Sequence, residues 1–221
     1  MTSSIKIVTF PGTNCEHDVL KQIQYLQGDA ELIWHQETNL GSCSGVILPG
    51  GFAHGDYLRP GAIARFSPIM DEVIKFAESG GPVLGICNGF QVLTECGLLA
   101  GALSINNGLR FICKTLPCIL ETTQSVLTSA GQVGKELLLP VNHGEGNYIC
   151  DDQTLDYLKE NDLIVLTYAA DINGSIDRIA GIRNKAGNVV GLMPHPERAV
   201  DPLLGYTDGQ ILLQSFINAA K

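Results

Sequence analysis

Positive charge is scarce in this chain. Fourteen Lys and Arg stand against 23 Asp and Glu, a formal net charge of −9 at pH 7. The basic face that a nucleic-acid-binding protein presents is therefore missing, although this charge is compatible with a local pocket for one phosphate. No apolar run reaches the length of a membrane span, and the first residues show no secretory leader pattern. The seven cysteines, at positions 15, 43, 87, 96, 113, 118 and 150, form no Cys-x-x-Cys pair. Cys113 and Cys118 also lack histidines at a zinc-binding distance in sequence, so no metal site is expected. An odd, scattered set of thiols fits a reducing compartment, and a cytoplasmic protein is the expectation. No phosphate-cradling loop of the Walker type occurs. Repeats, low-complexity segments and long linkers are absent too, which leaves residues 1–221 as one expected domain.

What is present is 45% apolar residues over 221 positions, enough for a substantial core. Strand-like and helix-like segments alternate. Strands are expected at Ile5–Phe10, Glu31–His35, Gly45–Leu48 and Val83–Ile86, and helices at Glu16–Gln27, Gly61–Ser79 and Asn88–Cys96. This alternation predicts an α/β fold, a mostly parallel open sheet covered on both faces. Between Leu109 and Cys150 the helical spacing gives way to β-like runs, Leu109–Cys113, Cys118–Leu120, Glu136–Val141 and Asn147–Cys150. These read as a small antiparallel excursion off the main sheet. Strands at Ile164–Tyr168, Arg178–Arg183 and Val189–Met193 and a closing helix at Asp208–Ala220 complete the chain. In such a sheet, sites gather at the carboxyl ends of the strands.

The chemistry concentrates at Gly85-Ile86-Cys87-Asn88-Gly89-Phe90-Gln91. A cysteine between two glycines, where an apolar strand meets a helix, has the form of a nucleophile elbow. The bend lifts the thiol out of the sheet, and the helix amino end favours the thiolate. The backbone N–H of Asn88 becomes one oxyanion donor, with a second expected from Gly51 in Pro49-Gly50-Gly51. A thiolate nucleophile needs a base and a group to orient it. His195 and Glu197 in Met193-Pro194-His195-Pro196-Glu197 supply both, and two prolines stiffen the turn. His143, near Glu145, is a weaker rival base. Gln91, one helical turn beyond Cys87, leans back toward it and is expected to contact substrate. Cys96, Cys113 and Cys118, set in apolar runs, read as small core hydrophobes.

Together these residues resemble the class I (triad-type) glutamine amidotransferases, with Cys87, His195 and Glu197 as the triad. Within that class, further segments are similar to the glutaminase-subunit family of phosphoribosylformylglycinamidine synthase. They are Phe10–Cys15, Pro49–Ala62, His143–Gly146 and Gly191–Arg198. Two departures stand out: Ala53-His54 where Ser-Tyr is common, and Asn142 where a small residue usually precedes the histidine. The resemblance implies a three-layer, flavodoxin-like α/β/α fold. It implies glutamine hydrolysis through a Cys87 thioester, with the 142–146 loop, including His143, contacting the substrate. Ammonia would pass to a synthetase subunit (PurL), accompanied in bacterial complexes by a small third subunit (PurS). ATP and Mg would bind the synthetase, and no cofactor is expected in this chain. Asp56, Tyr57 and Arg59 are expected to face the partner. Three other readings remain: a glutaminase serving a different synthetase, a stand-alone cysteine hydrolase, and a catalytically silent scaffold or thiol sensor.

Overall fold

The structure is a computed structural model that describes residues 3–221; Met1 and Thr2, at the head of the expected domain, lie outside them. Its centre is a nine-stranded sheet. The strands are β1 (Ser4–Thr9), β2 (Ala30–Trp34), β3 (Cys43–Leu48), β4 (Val83–Ile86), β6 (Ile112–Leu120), β7 (Glu136–His143), β9 (Ile164–Tyr168), β10 (Ile179–Arg183) and β11 (Val189–Leu192). They lie in the order β2-β1-β3-β4-β11-β10-β9-β6-β7. β2, β1, β3, β4 and β11 pair in parallel. From β11 through β10 to β7 every pairing is antiparallel. Every residue of β4 and β11 is buried. Because successive side chains point to opposite faces, both faces of the sheet must be covered.

The antiparallel strands do not stand off the sheet as expected; they extend it. β6 pairs with β9 through Cys118–Leu120 and with β7 along nearly its whole length. A separate two-stranded ribbon is formed by β5 (Ala102–Ser104) and β8 (Asn147–Ile149). Pro117, which would break a ladder, sits one residue before the β9 pairing begins, where its missing N–H is tolerated. Leu109, expected in a strand, has φ +52° and is exposed.

The helices are α1 (Glu16–Tyr25), α2 (Pro68–Glu78), α3 (Asn88–Glu95), α4 (Asp152–Glu160) and α5 (Gly209–Ala219). α2 is shorter than the expected 61–79. Pro68 occupies the first helical position and forces Ser67 into an extended conformation, ψ 140°. α4 escapes the periodicity reading because it buries only Leu158. Its start is set by the Asp151 carboxylate accepting from the Thr154 N–H at 2.8 Å. Cys118 is buried as expected, Cys96 is half-buried, and Cys113 is exposed. The last is a correction: an apolar sequence neighbourhood does not decide which face of a strand a side chain takes.

Candidate active site

β4 ends at Ile86, and the chain turns at Cys87 with φ +50° and ψ −103° before α3 begins. That conformation is costly for a residue with a side chain, and it is held by tight packing on both sides. A Cβ on Gly89 would lie 1.9 Å from the Leu48 carbonyl oxygen. Only glycine lets α3 come this close to β3. The Cys87 N–H donates to the Leu192 carbonyl at 2.8 Å, which ties the elbow to the end of β11.

β11 leads into the His195 turn. The His195 N–H donates to the Pro140 carbonyl at 2.7 Å, and its Nδ1 lies 2.6 Å from Glu197 Oε1. Both side chains are almost wholly buried. Burial alone pulls the imidazole pKa down. The Glu197 charge, the neighbouring Cys15 and Cys87 thiols and the Glu197 hydrogen bond overcome it and carry the value well above the ordinary histidine range. The other ring nitrogen, Nε2, has no hydrogen-bond partner among the described residues. The Cys87 thiol instead donates to the Asn142 carbonyl at 3.7 Å. The imidazole is thus oriented at one nitrogen and open at the other.

Gly51, Cys87, Gln91, His143 and His195 line one cavity of about 350 Å³, with Asp56 and Glu145 also in its wall. Gly51 has φ +146° in an isolated bridge to Thr13. Asn88 is buried behind the wall. Its Oδ1 accepts from the Ala53 N–H at 3.0 Å, and its Nδ2 donates to Asp56 Oδ1 at 3.1 Å and Gln91 Oε1 at 2.9 Å. The side chain therefore fixes the 51–56 loop against α3. Gln91 Nε2 donates to the Glu145 carbonyl at 2.6 Å, so Gln91 braces the 142–146 loop as well as lining the cavity.

His143 is not arranged as a base. Its Nδ1 meets Asn106 Oδ1 at 3.1 Å and its Nε2 meets the Tyr168 hydroxyl at 3.4 Å. Burial, helped by the nearby His195 charge, lowers its pKa to about 4. It is a neutral wall residue, and the weaker rival to His195 drops out.

The three loop residues expected to face a partner separate. Tyr57 is exposed. Arg59 is exposed but engaged, its Nε and Nη2 donating to the Glu95 carboxylate at 2.6 and 2.7 Å. Asp56 turns inward, and desolvation raises its pKa to about 6, with the Asn88 hydrogen bond opposing and the Glu145 charge adding.

One neighbour is absent from the sequence reading of the site. Cys15, just before α1, is buried in the same cavity wall. Donor atoms of Cys15, His195 and Glu197 all lie within 4.8 Å of one another. Its place in the Phe10–Cys15 segment is the only signal; nothing local announces that β1 and β11 deliver their ends to the same point.

Comparison with known proteins agrees with this geometry. The model of the CobB/CobQ-like glutamine amidotransferase domain matches residues 2–207. The phosphoribosylformylglycinamidine synthase subunit PurQ of Salinibacter ruber is 48% identical, over 99% of this chain and 97% of that protein. The chain belongs to the PurQ family of glutamine amidotransferases. A chain in the PurLQS structure from Thermotoga maritima superposes with a TM-score of 0.91 at 42% identity, and each chain is covered completely. A putative GMP synthase component from Thermoplasma acidophilum has a TM-score of 0.67 at 17% identity, covering 100% of this chain and 95% of the other. That likeness extends the fold, and the fold alone, beyond the PurQ family. Within the PurQ-type scaffold, His54, one of the departures, packs edge-on against His35 with ring centroids 5.1 Å apart.

Proposed function

We propose that this chain is the glutaminase subunit of a phosphoribosylformylglycinamidine synthase, with Cys87 as nucleophile, His195 as proton carrier and Glu197 as its orienting carboxylate. The observation that carries the reading is the shared cavity: a thiol on a strained elbow and an imidazole anchored by a buried carboxylate open into it together.

The raised imidazole pKa favours the state in which the Cys87 proton resides on His195. Cys87 Sγ attacks the side-chain amide carbon of glutamine, and the carbonyl oxygen takes the negative charge. Backbone N–H groups of Gly51 and Asn88 are the donors we assign to it; each such donor is worth roughly 3 kcal/mol of barrier lowering. His195 then gives its proton to the departing nitrogen. The C–N bond breaks, and ammonia and a γ-glutamyl thioester remain. Water attacks the thioester while His195 takes one of its protons, and glutamate leaves as the thiol is restored. Gln91 and the 142–146 loop bound the substrate, His143 as a neutral wall.

Ammonia released into water is protonated and loses its nucleophilicity, so a synthetase partner is needed to receive it directly. That partner would bind ATP and Mg and convert formylglycinamide ribonucleotide to formylglycinamidine ribonucleotide, with a small third subunit in the assembly. Tyr57 and Arg59 belong to the face assigned to it. Residues 1–221 act as one amidotransferase domain in the cytoplasm; among the described residues, no helix is long and apolar enough to cross a membrane.

The test is Cys87→Ala in complex with the synthetase. Glutamine-dependent synthesis is expected to vanish while synthesis from added ammonium salts continues. Retention of glutamine-dependent turnover would overturn the assignment.

A further inference from the structure

We propose that Cys15 is a positioning residue for His195, acting with Arg198 and Asp18 to hold the imidazole facing Cys87. This inference rests on the catalytic reading above and adds to it a second thiol that does not react.

The argument begins with confinement. Glu197 holds His195 at one atom, and a single hydrogen bond leaves a ring free to tilt about it. Cys15 supplies a further wall. A Cβ placed on Gly50 would lie 2.7 Å from His195 Cε1 and 3.1 Å from Cys15 Sγ, so ring and sulfur both close on the Gly50 backbone and leave no room for a side chain there. The thiol is itself held. Sγ donates to Asn14 Oδ1 at 3.2 Å, and the Cys15 N–H donates to the Gly50 carbonyl at 3.2 Å.

Arg198 closes the arrangement. It lies three residues after His195 on the same turn, and its Nη2 donates to Cys15 Sγ at 3.2 Å. Another contact, 3.7 Å to Asp18 Oδ2, reaches the first turn of α1. The turn that carries the base is thereby fastened to the start of α1, near the opposite end of the chain. Cys15, His195 and Glu197 have the spacing of a metal-ligand group, but the guanidinium already directs positive charge at the sulfur, which opposes a cation there. Sulfur suits the position because it is bulkier than a hydroxyl and accepts the guanidinium weakly, confining the ring by contact while Glu197 holds it by a hydrogen bond. The charged and titratable groups around the imidazole are Glu197, Cys15, Cys87 and His143, with Arg198 behind Cys15. Of these, Glu197, Cys15 and Cys87 favour the protonated ring.

The experiment measures glutamine hydrolysis by the complex with the synthetase. Cys15→Ala is expected to lower kcat between about 10- and 100-fold, the scale of a misplaced catalytic group, with KM for glutamine within about twofold. The pH limb belonging to His195 should move to lower pH. Cys15→Ser, which keeps an acceptor for Arg198 without the bulk of sulfur, should recover only part of kcat, and Cys43→Ala, at the amino end of β3 and so at the far end of the sheet from the site, should match wild type throughout. Ammonia-dependent synthesis at the wild-type rate in Cys15→Ala shows that the complex is folded and assembled. Wild-type kcat in Cys15→Ala overturns the proposal. So does a loss of kcat with an unmoved pH profile, which would mark a merely structural role. The reading beneath it fails by a different result, glutamine turnover that persists in Cys87→Ala.

Discussion

His143 offers a prediction whose size follows from the structure. Asn106 Nδ2 already donates to two carbonyls, so Asn106 Oδ1 must accept, and the neutral His143 ring is assigned as donating to it from Nδ1 and accepting at Nε2 from the buried Tyr168 hydroxyl. Protonation would put a second donor against Tyr168 and a charge near His195. The folded pKa of about 4 lies below the ordinary value of 6.5. Below pH 6.5 the unfolded chain therefore binds more protons than the folded one, and stability falls as pH falls, with the loss complete below about 4. At about 1.4 kcal/mol for each pH unit of difference, the full loss is about 3 kcal/mol, and about 2.5 kcal/mol has gone by pH 4.5. Replacing His143 with Gln keeps one donor and one acceptor but cannot titrate. Urea unfolding of both proteins at pH 7.5 and pH 4.5 isolates the difference. The inward-facing Asp56 works in the opposite sense, its stabilisation being lost as pH rises through about 6, but it is common to both proteins and cancels. Wild type should lose about 2.5 kcal/mol more than His143→Gln over this interval, with unchanged m-values. Equal losses would refute the claim that the ring is held neutral.

Other expectations concern the elbow and the triad. Gly89→Ala forces a methyl carbon against the Leu48 carbonyl oxygen. Because β3 and α3 are both packed in the core, calorimetry should show at least about 3 kcal/mol of destabilisation, the upper end for overpacking. A change below about 1 kcal/mol would mean that the helix can withdraw. Glu197→Gln should reduce kcat less than His195→Ala does, since it disturbs the orientation and charge of the imidazole but leaves a group able to carry the proton. Steady-state kinetics giving the reverse order would count against these roles.

Much of this arrangement is legible in the chain because its signals are local. Gly-x-Cys-x-Gly at a strand-to-helix junction demands a tight turn wherever it occurs, and the His195-Pro196-Glu197 spacing sets base and carboxylate side by side without help from the rest of the fold. The parallel strands show themselves through apolar runs such as Val83–Ile86, which is buried along its whole length. Less local features stay hidden. Alternating β-like runs after Leu109 announce strands, but not that β6 joins β9 and prolongs the main sheet. Sequence alone groups Asp56 with the outward Tyr57 and Arg59, whereas its bond to Asn88 turns it inward. Cys15 lies beside His195 only because β1 and β11 end at the same side of the sheet, a relation that no spacing in the sequence encodes.

Which sulfur forms the thioester is the question on which everything else turns. Incubation with a glutamine-mimicking diazo ketone, followed by peptide mass spectrometry, should place the adduct on Cys87 and leave Cys15 unmodified. An adduct on Cys15, with Cys87 untouched, would contradict the account.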